Sequence, residues 1–510
     1  MKTKVYSSVY IGTYETSLMI YEINQNRKEK IKLIEDLRLP ISINHDLLSQ
    51  GRITTDIMER LITTLSDMKK DIDMYMSDKY EVFISYAIRR ASNFYIIMDR
   101  IKTIFPENVR VISNSEQRLR NYEALANIEN FDEIIKESAL IADVGGSSLQ
   151  FTLFENGKIV TTQHMALGAS VIMESILQFA EKPDGANQLS EMIDKEIDTF
   201  VNMYFPKMNP KYLILFNTTI KKIFTTILKG DPGTIFDKKK TERLMEFFEE
   251  KGYFSRLFRE FSVNDPDRMH IPFILLYSSV VKNSNSEFII IPDVSTHDGF
   301  TYKYAMDNKL LKSAHDFDED VISASWELAK RFDSYKPHLK MLESLSISIF
   351  DGMKKYHGLT NRHGLFIRAA AILHDVGKYI NLYASGEATY AIIMSSEIIG
   401  LTHDERKLIA LVCRYNHARD VSFETVGDGL SGEDYIVFLK LLAILRVANA
   451  LDRSHKQKMK DVKTTLKDGK LTIRISSKSS LNLEKGMFDE KADFFEEVFG
   501  IRPVIVERSV

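Results

Sequence analysis

Residues 139–154 read Ala-Leu-Ile-Ala-Asp-Val-Gly-Gly-Ser-Ser-Leu-Gln-Phe-Thr-Leu-Phe, an apolar run that closes on Asp143, a glycine pair and two serines before a second apolar run. Short apolar, β-rich runs bounded by glycine form strands, so the segment reads as strand, turn, strand, over Ala139 to Val144 and Ser148 to Phe154. A third strand, Lys158 to Gln163, follows Asn156-Gly157, a dipeptide suited to a tight hairpin. The same order occurs at the start of the chain: Val5 to Ile11, a Gly12-Thr13 turn, Ser17 to Ile23, and Lys30 to Ile34. Helical periodicity follows each meander, over Thr54 to Met76 after the first, and over Ala169 to Ala180 and Leu189 to Tyr204 after the second. Two lobes of one construction are expected, with their first turns facing a shared cleft.

Two such lobes resemble the plan of the actin-like (ribonuclease H-like) ATPase superfamily, which implies an α/β class. From about Ala314 the pattern changes to long amphipathic helices, among them one ending in His-Asp-Val-Gly-Lys at His374 to Lys378. A mixed tail follows, with a strand at Lys470 to Ser476, a helix at Phe488 to Phe499 stopped by Gly500, and a strand at Arg502 to Arg508. The expected domains are lobe I over 1–125, lobe II over 126–308, an all-α domain over 309–460 and a small α+β subdomain over 461–510.

At 510 residues, 44% hydrophobic and 27% charged, the chain has the composition of a multidomain globular protein. Its one cysteine, Cys413, excludes an intrachain disulfide framework. The N-terminus reads as a strand rather than a signal peptide, and the apolar runs at Ile271 to Val281 and Phe438 to Leu451 are too short to span a bilayer. A cytoplasmic protein without a membrane partner is expected. A net charge of −3 offers no overall attraction to a polyanion, so a phosphate-rich ligand needs a local basic groove. Arg89 and Arg90, Lys238 to Lys240 and Lys456 to Lys463 are the basic clusters, the last two read mainly as solvated faces. No stripe of interleaved basic and aromatic residues argues for nucleic acid.

Glycines let a turn's backbone N–H groups converge on an anion without obstruction by Cβ. Gly145, Gly146, Ser147 and Ser148 form one candidate phosphate-binding loop, and Gly12 and Thr13 the other. Asp143, at the strand end, faces the same space and is placed to hold a divalent cation. An Asp-x-Gly-Gly segment alone also serves as a hairpin turn with a capping aspartate.

Together with its neighbours, this loop resembles the exopolyphosphatase and guanosine pentaphosphate phosphatase (Ppx/GppA) family over almost the whole chain. That family's second phosphate loop reads Asp-x-Gly-Gly-Gly-Ser, matched by Asp143 to Ser148 with Ser147 in place of a glycine. An Ala-x-Arg-x-Ala-x-Asn segment is matched by Ala87 to Asn93, and the catalytic-glutamate segment resembles Ile112 to Leu119 after one deletion. The resemblance implies that Glu116 activates water for in-line attack on a terminal phosphorus, that Arg89 holds the attacked phosphoryl group, and that Asp143 supports catalysis with Mg²⁺ or another divalent cation. The first loop departs from the family: Tyr10 stands where an acid is expected and Ser17 where an arginine is. Gln150 replaces a glutamate, Asn217-Thr218-Thr219 a Gly-Gly-Thr, and Thr296-His297-Asp298-Gly299 a Leu-Arg-Glu-Gly.

The helical domain resembles the HD domain of metal phosphohydrolases. His338, His374 and Asp375 match the first three metal ligands, while the late aspartate falls on Asn449, with Asp452 a turn away as a substitute. The family resemblance implies a structural role for this domain, building a long groove and a homodimer. Three functions are therefore open. The first is a phosphohydrolase releasing terminal phosphate from polyphosphate or converting guanosine pentaphosphate to tetraphosphate. The second is a regulatory protein that binds polyphosphate or a guanine alarmone on the same scaffold without turnover. The third is hydrolysis at His374 and Asp375.

Overall fold

The computed structural model describes residues 3–27, 29–146, 148–179, 182, 184–205, 209–217, 219–221, 235–237, 270–418, 421–427, 429–467 and 469–508. Ser147, Thr218 and Lys238 to Lys240 lie outside the described residues. The chain forms two compact units, Met1–Asp316 and Phe317–Val510.

In the first unit, β1 (Lys4–Ile11), β2 (Glu15–Ile23), β3 (Ile31–Pro40), β4 (Lys79–Ser85) and β5 (Val109–Ile112) form a sheet in the order β3-β2-β1-β4-β5. The meander β1-β2-β3 is antiparallel, and β4 and β5 continue it in parallel. Strand alternation sends Val9, Ile11, Leu18, Ile20, Val82 and Ile84 to one face, where they meet helices α2 (Thr55–Met74) and α3 (Phe94–Ile104). Helix α2 answers with Met58, Leu61, Leu65, Met68 and Ile72, an apolar stripe at three- and four-residue spacing. Helix α1 (Ile43–Gln50) precedes α2 and has no counterpart in the sequence reading.

Helix α4 (Asn114–Leu125) and helix α5 (Phe131–Glu137) lead to the second sheet, built from β6 (Ala139–Val144), β7 (Leu149–Glu155), β8 (Lys158–Met165), β9 (Tyr212–Phe216), β10 (Ile235–Phe236) and β11 (Phe288–Ile290). Its order, β10-β11-β9-β6-β7-β8, repeats the first sheet's plan with β10 added at the edge. The shared topology establishes the two actin-like lobes. One face of this sheet packs on α6 (Ala169–Phe179), α7 (Gly185–Tyr204) and α8 (His270–Ser284) through Ile172, Ile193, Ile197, Ile274 and Leu276.

The final helix of this unit, α9 (Thr296–Asp307), returns to the first sheet, where Phe300 stacks on Phe83 with ring centroids 3.6 Å apart. It also packs along α4 so closely that a Cβ on Gly299 would lie 1.9 Å from the Arg120 carbonyl oxygen. On its other side α4 buries Tyr122 against Phe154 of the second sheet. A single helix is thus wedged between the lobes.

The second unit is mainly helical, with α10 (Phe317–Arg331), α11 (Lys336–Gly352), α12 (Asn361–Leu373), α13 (Ser385–Ser395), α14 (His403–Arg414) and α15 (Gly432–Leu451). Helix α15 is buried all round from Leu441 to Leu451, which explains its unbroken apolar run as a core helix. Among the described residues no helix is long and apolar enough to cross a membrane. The tail forms a three-stranded sheet of β12 (Lys460–Lys467), β13 (Lys470–Ser476) and β14 (Pro503–Arg508), with α16 (Asn482–Phe499) alongside. Lys460 and Lys463, from the cluster read mainly as a solvated face, do lie exposed, on strand β12, while Val462, Thr464 and Leu466 alternate inward.

Candidate active site

The two hairpin turns close alike. Gly12 N donates to Glu15 O at 2.9 Å, and Gly145 N donates to Ser148 O at 2.8 Å. The Gly145 and Gly146 carbonyls accept from Ala169 N at 3.0 Å and Ser170 N at 2.7 Å, which seats the second loop on the first turn of α6. A Cβ at Gly146 would lie 3.4 Å from the Tyr14 ring and 3.7 Å from Thr13 Oγ1, so the loops of the two lobes face each other at contact distance. Tyr14 bridges them, its hydroxyl bonded to Ser170 Oγ and accepting from Asn44 Nδ2 at 3.1 Å. Nothing in the sequence pattern marked Tyr14 for this.

Asp143 ends β6 in the same space. Asn121 Nδ2 donates to its Oδ2 at 2.9 Å, and Asn121 Oδ1 accepts from Thr296 Oγ1 at 2.8 Å, so the amide ties α9 to the loop acid through α4. Burial raises the Asp143 carboxyl above its ordinary value, and the Asn121 bond and the Arg118 charge oppose the rise. Arg118 Nη2 donates to Ser148 Oγ at 3.2 Å, placing a guanidinium on the second loop. Gln117 Oε1 accepts from Tyr10 OH at 3.0 Å, and burial pushes the Tyr10 phenol up to about 12, so a neutral group occupies the first loop's expected acid position. Helix α4 therefore presents Gln117, Arg118 and Asn121 to the cleft.

Glu116 does not join them. Each residue of a helix turns about 100° from its neighbour, and the register that aims Gln117 at Tyr10 turns Glu116 away. Its carboxylate pairs with Arg110 at 2.5 Å, in a cavity of about 500 Å³ whose lining includes Glu81, Arg120, Lys303 and Tyr304. Arg89 is exposed in the turn after β4, its guanidinium 5.8 Å from the Tyr86 ring centroid. Among the described residues neither Glu116 nor Arg89 hydrogen-bonds to Asp143, Gly145, Gly146 or Ser148. Gly12 is buried and Thr13 half-buried, with the Thr13 carbonyl accepting from Asn44 N at 2.9 Å.

Gln150 pairs with Asp143 in the antiparallel register, a position that shares a sheet face. It is 1% exposed, and neither side-chain amide atom has a hydrogen-bond partner. The Asp143 carboxylate and an unpartnered amide oxygen suit a hard divalent cation, which takes oxygen donors and completes its shell with water or phosphate. The residues fit Mg²⁺ with one protein carboxylate.

In the helical unit His338, His374 and Asp375 do come together. His374 Nε2 lies 3.1 Å from Asp375 Oδ1, and the His338 and His374 ring centroids are 5.3 Å apart. Asp452 is bonded to His338 Nδ1 at 2.8 Å and so positions that ring. His455, which the sequence reading did not single out, joins the group: ligand atoms of His338, Asp375 and His455 lie within 4.8 Å of one another.

A family model described as Ppx/GppA phosphatase family matches residues 20–264, and one described as Ppx/GppA phosphatase, domain III, matches residues 323–492. A bifunctional 3-dehydroquinate synthase/phosphatase of Fusobacterium nucleatum is 28% identical over 155 residues, which cover 29% of this chain and only 22% of that protein. A guanosine-5'-triphosphate,3'-diphosphate pyrophosphatase of Photobacterium profundum is 20% identical over 414 residues, 80% of each chain. A solved Ppx/GppA family member from Aquifex aeolicus is 19% identical, with 60% of this chain and 99% of that one covered at a TM-score of 0.47.

Proposed function

Because the chain belongs to the Ppx/GppA phosphatase family, we propose that it hydrolyses a terminal phosphoanhydride, releasing phosphate from polyphosphate or from the 5′ end of guanosine pentaphosphate. The observation that carries this reading is the convergence of Arg118 and Asn121 on the Asp143–Ser148 loop, opposite the loop at Gly12. Arg118 supplies fixed positive charge for the phosphoryl oxygens, and loop N–H groups supply directed donors. Asp143, with Gln150 beside it, is the residue set for Mg²⁺, which when bound offsets the substrate's negative charge. Water attacks the terminal phosphorus, the P–O bond to the next phosphate breaks, and a carboxylate takes the proton from the water. Glu116 is the proposed base. Its ion pair with Arg110 must open and its side chain must swing round from the face of α4 that carries it for the carboxylate to reach the cleft.

A second reading, ligand binding without turnover, is favoured by the neutral Tyr10 phenol and by Tyr14 bridging the loops. Phosphate release from both substrates, measured with Mg²⁺ for the intact chain, Glu116→Ala and Asp143→Asn, separates the two. Release abolished by either substitution supports hydrolysis. Micromolar binding by the intact chain with no release establishes the second reading instead.

A further inference from the structure

The Met1–Asp316 unit accounts for phosphate chemistry without using the buried histidines of the other unit. His338 is 0% exposed and its Nδ1 faces Asp452 Oδ2 at 2.8 Å. A carboxylate only accepts, so Nδ1 carries a proton and Nε2 is the ring atom left to face another group. That Nε2 has no hydrogen-bond partner. His374, 4% exposed, repeats the arrangement: Nδ1 donates to the Ala371 carbonyl at 2.9 Å, and Nε2 has no hydrogen-bond partner although Asp375 Oδ1 lies 3.1 Å away. Two imidazole nitrogens without hydrogen-bond partners thus lie buried in one group, one of them beside a carboxylate oxygen. Ligands about 2.1 Å from one ion and roughly 90° apart are about 3 Å from each other, which is this separation.

The remaining donors surround the same point. Asp375 also pairs through Oδ2 with Lys378 at 2.6 Å. His455 stacks on His338 with centroids 3.7 Å apart. Its backbone is held at φ 54°, a conformation non-glycine residues rarely adopt, and the same Asp452 anchors its loop by accepting from Gln457 N at 2.8 Å. One carboxylate thus orients His338 and fixes the loop that carries His455, as the partner carboxylates of metal-bound histidines do.

We propose that His338, Asp375 and His455, with His374 beside them, bind one divalent transition-metal ion of the zinc, cobalt, manganese or iron class in the C-terminal unit. Imidazole nitrogens with one carboxylate select that class over Mg²⁺, which prefers oxygen donors. Asp452 is a positioning residue, one step removed from the ion.

The test uses the untagged full chain, stripped with chelator and titrated with Co²⁺ in the presence of excess Mg²⁺, with visible absorption reporting imidazole ligation. One equivalent binds in the intact protein, and Zn²⁺ displaces it. Half-buried His455 is replaceable without disturbing the core, and both His455→Ala and His455→Asn weaken binding at least tenfold. Asp452→Asn weakens it 10- to 100-fold, the range for an outer carboxylate. Asp143→Asn leaves the Co²⁺ spectrum unchanged, which keeps this site separate from the phosphate cleft. Absence of a stoichiometric imidazole-ligated signal, or binding that survives both His455 substitutions, or loss of the signal in Asp143→Asn, overturns the proposal.

Discussion

Gly299→Ala tests the wedge on which the candidate site is built. The added methyl would sit 1.9 Å from the Arg120 carbonyl oxygen, 2.5 Å from its carbon and 2.9 Å from its Cα. Ordinary contact begins at 3.4 Å, so α9 and α4 must separate by about 1.5 Å. These three nearest atoms are all backbone, so they cannot swing aside as a side chain would, and overpacking should cost about 3 kcal/mol, the upper end for an added methylene. Alanine returns about 1 kcal/mol through helix propensity, leaving a net loss of about 2 kcal/mol. A domain of this size should then melt several degrees lower. The same displacement moves Asn121 relative to both Asp143 and Thr296, its two partners. Misplacement by about 1 Å costs on the order of 100-fold in rate, so phosphate release should fall by about that factor. Gly486→Ala is the control, because nothing lies within 4 Å of its Cβ position. Differential scanning fluorimetry and a phosphate-release assay read the two effects. If Gly299→Ala melted and turned over like the control, the close α4–α9 contact, and with it the support assigned to Asn121, would be wrong.

Arg118→Ala should lower kcat/KM for phosphate release by about 100-fold with little change in melting temperature, since it removes one charged donor from the loop; Arg118→Lys should recover only part of the loss. Arg110→Ala should raise release by no more than about fivefold, because it frees Glu116 from a partly exposed pair worth about 1 kcal/mol or less; a large fall would refute the restraint. His297, bonded to Ser8 Oγ at 2.7 Å and Ser17 Oγ at 2.8 Å, has its imidazole pushed by burial down to about 3 from 6.5. The unfolded chain takes up this proton near pH 6.5 and the folded chain only near 3, so stability is lost as pH falls through that window, by up to about 1.4 kcal/mol per pH unit. His297→Gln should flatten the fall of melting temperature between pH 6.5 and 4, and an unchanged slope would show that this group does not carry the acid sensitivity.

The meanders, their glycine turns and the helices that follow them were legible because each is a local pattern of period 2 or 3.6 with its own punctuation. Asp143 was legible for the same reason: a strand end, two glycines and a serine are adjacent in the chain. Strand β12 was hidden by lysines on its exposed face, and α1 by the lack of a long periodic run. The cleft residues on α4 were harder still. Glu116 and Gln117 are neighbours in sequence, and only the helix's rotation decides which one meets Tyr10.

By itself, then, the amino-acid sequence determined two repeated lobes, the glycine-serine turn after Asp143, and a helical region with a His-Asp pair, because these follow from spacing along the backbone. The tertiary structure decided which side chains converge. Packing of α4 between Gly299 of α9 and Phe154 of the second sheet sets the rotation that brings Gln117, Arg118 and Asn121 to the loops and leaves Glu116 with Arg110. The return of the chain after α15 sets His455 against His338. Contacts between residues far apart in the chain depend on rotation and approach, which local pattern does not encode.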